Sequence, residues 1–240
     1  MNSNLCINWI FFQRYTIFEF LALSIMYDTS IVTLVIIAVN VLISFKGFND
    51  TEFFNKYKFN IGAIKGGNRL IILSSGFLHI DVTHLAVNMI TLYFFAGSVI
   101  AFLGVIGFLG VYFASLLLGN ILSYYFHKDE YHYTAVGASG AVVGVLYSAI
   151  LLRPDMMLGL FFIIPIPAYV FGIGYLLYSI YAMKKRQDNI GHDAHFGGAM
   201  GGYFLTILFN PMIVQQSSLM VILLLVPIVL LFILQKTGKL

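Results

Sequence analysis

The feature that constrains this chain most is a series of unbroken apolar windows, each long enough to cross about 30 Å of hydrocarbon as an α-helix. They fall at 30–46, 83–103, 105–126, 136–152, 168–183 and 193–209, with another at 217–234. The windows are continuous rather than short and alternating, which excludes a transmembrane barrel, and lipid leaves helices as the other way to satisfy the backbone. Composition agrees: 60% of the 240 residues are hydrophobic and 10% charged, with mean hydropathy +0.92, far beyond a soluble domain of this size. The expected fold class is all-α, a polytopic transmembrane helical bundle of six spans plus a seventh C-terminal helix. The one cysteine, Cys6, has no partner for an internal disulfide and so carries no information about redox compartment.

Residues 5–26 are apolar but interrupted by Arg14 and Glu19, and they lack a small-residue cleavage site, so they read neither as a signal peptide nor as a clean span. Met26 is an alternative start, a hypothesis that an N-terminal mass measurement finding residues 1–25 would reject. The connection from 47 to 82 is far longer than the later ones, and a connection of that length in a bundle carries function or its own structure. Within it Asn49, Asp50, Asn55 and Asn60 alternate with Phe48, Phe53, Phe54, Tyr57 and Phe59, the pattern of an amphipathic segment lying in the membrane interface. No internal repeat or low-complexity tract is present, and one domain is the economical reading.

The polar residues at the span ends carry the chemistry. All six histidines, His79, His84, His127, His132, His192 and His195, lie in or beside the odd-numbered connections, which emerge on one side of the membrane. Ser139 opens the fourth span and His195 the sixth, so both are placed just below that surface. Gly140 and Gly144 follow Ser139, and Gly198 and Gly202 follow His195; such small-xxx-small pairs let two membrane helices approach backbone to backbone. Packed so, the serine hydroxyl and the imidazole come within hydrogen-bond reach, the minimum for an activated oxygen nucleophile. In "HIDVTHLAVNM", His84 and Asn88 are four apart and share a helix face at the start of the second span. Both are side-chain donors, the kind of group that an oxyanion requires, together with backbone N–H groups in the first turn of the serine's helix.

"GASG" at 137–140, "AHFGGAMGG" at 194–202 and "HIDVTHLAVNM" at 79–89 resemble the three signature segments of the rhomboid intramembrane serine proteases, in that family's order and on the second, fourth and sixth spans. The resemblance extends over residues 28–210. It implies Ser139 as nucleophile and His195 as general base in a dyad that needs no acidic third member. His84, Asn88 and the Ser139 amide then take the oxyanion positions, with Gly137 beside the serine. It also implies transmembrane protein substrates cut near the membrane surface, an interfacial first loop, and a fifth span that moves to admit substrate. Two departures stand out. Ile71 occupies the position of an arginine common in the family's first loop, the nearest arginine being Arg69, and Val143 stands where some members stack an aromatic ring on the histidine.

Each feature has a plainer reading. A lone serine in a membrane helix bonds its own i−4 carbonyl or packs on glycine, a lone histidine caps a helix, and His84 and Asn88 glue helices together. His79, at the loop–helix junction, reads equally as functional or as structural, capping the helix or holding the loop. His127, His132 and His192 read as solvated or interfacial, and Asp193, next to the base in sequence, points elsewhere on a helix and is no triad acid. Six histidines on one side raise an intramembrane metalloenzyme, but there is no H-E-x-x-H and no histidine pair with a carboxylate at ligand spacing. A transporter would need intramembrane charges that the spans lack. The expectations are therefore no metal, no cofactor and no nucleic acid, with the bilayer and transmembrane proteins as partners. The net charge of +3 lies near span ends and suits anionic lipid head groups.

Domain organisation is expected as 1–27, an extension; 28–210, the six-helix catalytic domain; and 211–240, a further helix with a packing role and a tail. The expected location is a bacterial cytoplasmic membrane. Orientation is contested. Lys46, Lys56, Lys58, Lys65, Arg69, Lys128, Lys184, Lys185 and Arg186 crowd the connections on the serine side, against Arg14 and Arg153 opposite. The positive-inside rule makes that side cytoplasmic, whereas bacterial members of the family mostly turn it outward, the orientation favoured here.

Overall fold

The computed structural model describes residues 30–160, 164–185 and 190–239; the alternative start and the interrupted apolar stretch at 5–26 lie outside the described residues. The first span, α1 (Ile31–Asn49), is capped by Ser30, whose hydroxyl accepts from the Val32 N–H. Its neighbour in the bundle is α5 (Val82–His127), 46 residues long and broken at Gly104, where φ is +69°. Glycine enters that left-handed region without the penalty a Cβ would impose. Both ends of α5 converge on the same side of the molecule, so Gly104 turns the chain back and makes the second and third spans, matching the sequence windows 83–103 and 105–126.

Between α1 and α5 the long connection folds into its own small unit. It holds α2 (Thr51–Tyr57), a short strand β1 (Phe59–Asn60), α3 (Ile61–Lys65), α4 (Ile71–Ser74) and a 3₁₀ turn at Ser75–Phe77. Asp50 and Asn60 cap α2 and α3 through side-chain oxygens that accept from Phe53 and Ala63 N–H groups. Phe59, Ile61, Ile64 and Ile71 form a separate apolar cluster with Tyr124 and Tyr133 packed against it. Ile71, standing at the arginine position, thus anchors the loop by burial, while Arg69 is exposed. β1 pairs antiparallel with β2 (Thr134–Ala135), which ties the loop to the segment leading into the serine.

α6 (Ser139–Leu152) is the centre of the bundle: every residue after Ser139 is buried. Its 14 residues span only about 21 Å at 1.5 Å per residue, short of the ~30 Å hydrocarbon layer. The segments on either side of it, β2 before and the chain from Arg153 after, are not helical, and Ser139 is the first residue of the helix. An antiparallel pair of strands absent from the apolar windows, β3 (Met157–Leu160) and β4 (Ile164–Pro167), links α6 to α7 (Ala168–Lys185). α8 (His192–Phe209) packs against both α6 and the 105–127 arm of α5.

Glycine makes this centre possible. A Cβ on Gly198 would stand 2.9 Å from Gly140 Cα, and one on Gly202 would stand 2.8 Å from Gly144 Cα. The two small-residue pairs therefore face each other, as their spacing predicts. The third partner enters at the same level: a Cβ on Gly119 would meet Ala194 O at 2.6 Å, and one on Gly197 would meet Leu118 O at 2.6 Å. Deeper in, the Thr206 and Ser148 hydroxyls share a 2.6 Å hydrogen bond between α8 and α6.

After a short α9 (Ile213–Gln216), α10 (Ser218–Lys236) crosses as the seventh span, with Pro227 inside it. Leu224 approaches Gly172 of α7, and Val221 O accepts from the Tyr203 hydroxyl of α8 at 2.9 Å. At its far end Gln235 donates to Tyr125 near the end of α5, on the serine side of the bundle. α10 thus packs against α7 and α8, and Lys236 and Lys239 lie at its serine-side end.

Candidate active site

The site is assembled at the upper ends of α5, α6 and α8. Gly137 approaches it at φ +132°, and a Cβ there would lie 2.7 Å from His84 Cε1, so only glycine combines that backbone with that neighbour. The chain then turns into α6 with Ser139 as its first residue, partly buried and on the helix's open first turn. The N–H groups of that turn have no intrahelical partner. Ser139 Oγ lies 2.7 Å from His195 Nε2.

His195 is held from a second side. Its Nδ1 lies 2.5 Å from the hydroxyl of Tyr175 on α7, and the two rings stack with centroids 6.0 Å apart at 29°. Val143 leaves open the position where an aromatic ring is sometimes found, and Tyr175 supplies a ring from a different helix. The available signal was periodicity: Phe171, Tyr175 and Tyr178 recur at i, i+4 and i+7 on one face of α7.

The remaining candidate donors, His84 and Asn88, lie on the first turns of α5. His84 borders Gly137 from the start of α5. Asn88 is buried one turn on and donates through Nδ2 to His84 O at 3.1 Å, keeping one N–H for another acceptor. Asp81 caps this turn, accepting from the His84 N–H at 2.7 Å.

His79, ambiguous in sequence, is a loop anchor. Ser44 donates to Phe77 O at 3.1 Å, so its oxygen accepts from His79 Nδ1 at 2.9 Å. The other ring nitrogen, Nε2, is left to accept the Ala138 N–H at 3.4 Å, directly before the serine. Burial, with the adjacent His84 second, pushes the His79 imidazole down to about 3, so it stays neutral and keeps this tautomer. A second brace was invisible in the sequence: Asn120 of α5 donates to Ile72 O at 2.6 Å and to Ser75 Oγ at 3.2 Å, and Ser75 O accepts from the Gly137 N–H at 3.0 Å.

Two of the outlying histidines have protein partners: His127 is partly buried and His192 is buried rather than solvated. His127 stacks on Tyr133, 3.6 Å between centroids, and its ring nitrogens lie 2.9 Å from Glu130 Oε2 and 3.4 Å from the buried Asp193 Oδ2. Asp193 thus turns away from His195 toward α5, as the helical argument requires. His192 is buried, edge-on to Tyr178 and to His195. The reason is common to both: the ends of α5, α7 and α8 sit close enough for aromatic and carboxylate partners to replace water. His132 is exposed, as expected. Among the described residues no three His, Cys, Asp or Glu side chains converge as a metal site requires.

A hydroxyl on the open first turn of a helix, bonded to an imidazole that is itself oriented at its far nitrogen, is an arrangement suited to acyl transfer. Comparison with known proteins agrees with the fold. Residues 67–212 match the model of the rhomboid domain. The chain is 32% identical over 181 residues to RHOMBOID-like protein 12, mitochondrial, of Arabidopsis thaliana, covering 69% of this chain and 54% of that one. It is 33% identical over 137 residues to the human presenilin-associated rhomboid-like protein, mitochondrial, covering 55% and 35%. It is 30% identical over 140 residues to Rhomboid protein 1, mitochondrial, of Saccharomyces cerevisiae, covering 56% and 40%. The chain belongs to the rhomboid family, and it is an integral multi-pass membrane protein. It spans about half the length, or less, of these curated relatives.

Proposed function

We propose that the chain is an intramembrane serine endopeptidase that hydrolyses peptide bonds of single-pass or polytopic transmembrane proteins near the membrane surface. The observation that carries this reading is the 2.7 Å approach of Ser139 Oγ to His195 Nε2 at the head of a wholly buried helix. Ser139 attacks the scissile carbonyl while His195 Nε2 takes its proton; the imidazolium then returns that proton to the leaving amine. Water enters, gives its proton to the same nitrogen and attacks the acyl carbon; the C–Oγ bond breaks, the imidazolium returns the proton to Ser139 Oγ, and the carboxylic acid product leaves. The negative oxygen of each tetrahedral intermediate lies toward the Ser139 N–H, the His84 ring and the free N–H of Asn88. Each such donor lowers the barrier by about 3–4 kcal/mol in a site of this kind.

A substrate helix must unwind to offer its carbonyl, because its backbone groups are otherwise paired with each other. The β1–β2 bridge and the loop core supply a rigid wall on one side of Ser139, and α7 borders the other, which is where a substrate segment would enter. The domain limits 28–210 for this catalytic unit, and 211–240 for the packing helix and tail, belong to the same proposal.

The membrane concerned is a bacterial cytoplasmic one in this reading, with a mitochondrial membrane favoured instead if the compartment named for the three relatives is shared. Fractionation of the native cell decides between them. The basic face around the site, including Lys236 and Lys239, sets its side of the membrane against the family's usual orientation, and protease protection of a tag at the C-terminus reads that directly.

The function is tested by purified protein cleaving a transmembrane substrate in detergent. Ser139→Ala and His195→Ala each lower the rate on the order of 10⁴-fold or more, and a chelator leaves it unchanged. Cleavage surviving Ser139→Ala overturns the reading.

A further inference from the structure

We infer that Tyr175 is the positioning residue of the catalytic base: its hydroxyl, carried on α7, fixes the productive orientation of His195, so the dyad is complete only while α7 lies against α8. The inference rests on the proposed serine–histidine mechanism and goes beyond it in making the fifth span part of the catalytic apparatus.

The argument is one of proton placement. To accept the Ser139 proton, Nε2 must be the unprotonated nitrogen, which puts the hydrogen of the neutral ring on Nδ1. Nδ1 faces the Tyr175 oxygen at 2.5 Å, and a hydroxyl oxygen accepts such a hydrogen. The opposite tautomer would place a hydrogen on Nε2 against Ser139 and leave nothing to take the serine's proton. As the reaction proceeds the ring becomes a cation, and its Nδ1–H donates more strongly to the same oxygen.

The groups around the ring are distributed among four helices. Ser139 faces it from α6, Tyr175 from α7 and His192 from α8 itself. From α5, His84 lies beyond Ser139, and His127 takes up the carboxylate of Asp193.

α7 is well placed to make this bond conditional. Of its 18 residues only Ala168, Gly172, Leu176, Ser179, Ile180 and Ala182 are buried, whereas α6 is buried along its length. Its inner face meets the head of α8 through an aromatic stripe, with Phe171 stacked on Tyr175 and Tyr178 edge-on to His192. Ring contacts slide more readily than the interlocked glycines of α6 and α8. An outward shift of α7 by about 1 Å takes the 2.5 Å contact past hydrogen-bond length without disturbing Ser139 or His195 themselves.

The test compares wild type, Tyr175→Phe and, as a control on the exposed side of α7, Tyr181→Phe, measuring kcat, KM, the pH–rate profile and the unfolding temperature. Tyr175→Phe is expected to lower kcat roughly 10- to 100-fold, the range for deleting a hydrogen bond to a group that becomes charged, with KM and unfolding temperature little changed. The acidic limb of the profile moves to lower pH, because the cation loses its acceptor. Trifluorotyrosine at 175 preserves the packing and weakens the oxygen as an acceptor, so its rate falls between wild type and Phe. Wild-type kcat and an unmoved limb in Tyr175→Phe overturn the inference, as does a faster trifluorotyrosine enzyme, which would mean that the phenol donates. Ser139→Ala run in parallel separates the two levels: cleavage independent of Ser139 sinks the mechanism, whereas Ser139-dependent cleavage indifferent to Tyr175 sinks this inference alone.

Discussion

Replacing Gly202 by alanine isolates the role of the glycine seam. Gly202 lies two turns below His195, about 10 Å along the helix, and touches neither dyad residue. Its added Cβ would stand 2.6 Å from the Gly144 carbonyl carbon and 2.8 Å from Gly144 Cα, closer still to the oxygen, where ordinary contact begins at 3.4 Å. Those neighbours are backbone of a buried helix and have no rotamer to change. α8 must therefore retreat from α6 by about 1 Å, at a cost of roughly 1–3 kcal/mol for overpacking. The same shift opens the Ser139–His195 bond from 2.7 Å toward the limit of hydrogen bonding. Misplacement on that scale costs up to about 10²-fold in rate. The assay is the initial rate of substrate cleavage together with the unfolding temperature in the same detergent. Gly174→Ala on α7 is the control, since a Cβ there meets nothing within 4 Å. Gly202→Ala cleaving at the wild-type rate with wild-type stability would refute the claim that backbone contact sets the dyad distance.

Asp193→Asn weakens the tie to His127 and is expected to lower stability by about 1–3 kcal/mol while changing the cleavage rate by less than about threefold; a loss near 10⁴-fold would instead mark a triad acid. His79→Gln is expected to slow cleavage about tenfold by loosening the turn before Ser139, as single-turnover rates would show. It should also change the pH dependence of unfolding. The native imidazole, at about 3, binds its proton later than the unfolded one at 6.5, so its contribution is full above pH 6.5 and declines as the pH falls. Wild type should thus lose stability below pH 6.5 more steeply than His79→Gln, by up to about 1.4 kcal/mol per pH unit.

The parts of the molecule legible in the sequence are those written in local pattern. The seven spans follow from apolar run length, the break at Gly104 falls in the gap between two windows, and the facing of Gly140 and Gly144 with Gly198 and Gly202 follows from their spacing beside Ser139 and His195. What was not legible depends on side chains meeting across the bundle. Tyr175 is one aromatic residue among many in an apolar span, and only the docking of α7 on α8 distinguishes it. The partners of His127 and the burial of His192 likewise depend on where neighbouring helix ends lie. Ile71 is a reversal of a different kind: losing an arginine leaves the loop anchored, because Phe59, Ile61 and Ile64 offer it an apolar cluster that the alternating polar residues around them conceal.

The central claim is that Ser139 is a nucleophile activated by His195. It is tested most directly by treating the folded protein with a serine-reactive fluorophosphonate and locating the adduct by tandem mass spectrometry. The account predicts a single adduct on Ser139, formed in parallel with loss of cleavage and absent in His195→Ala. Cleavage blocked by an adduct on another residue, or Ser139 labelled equally fast without His195, would contradict it.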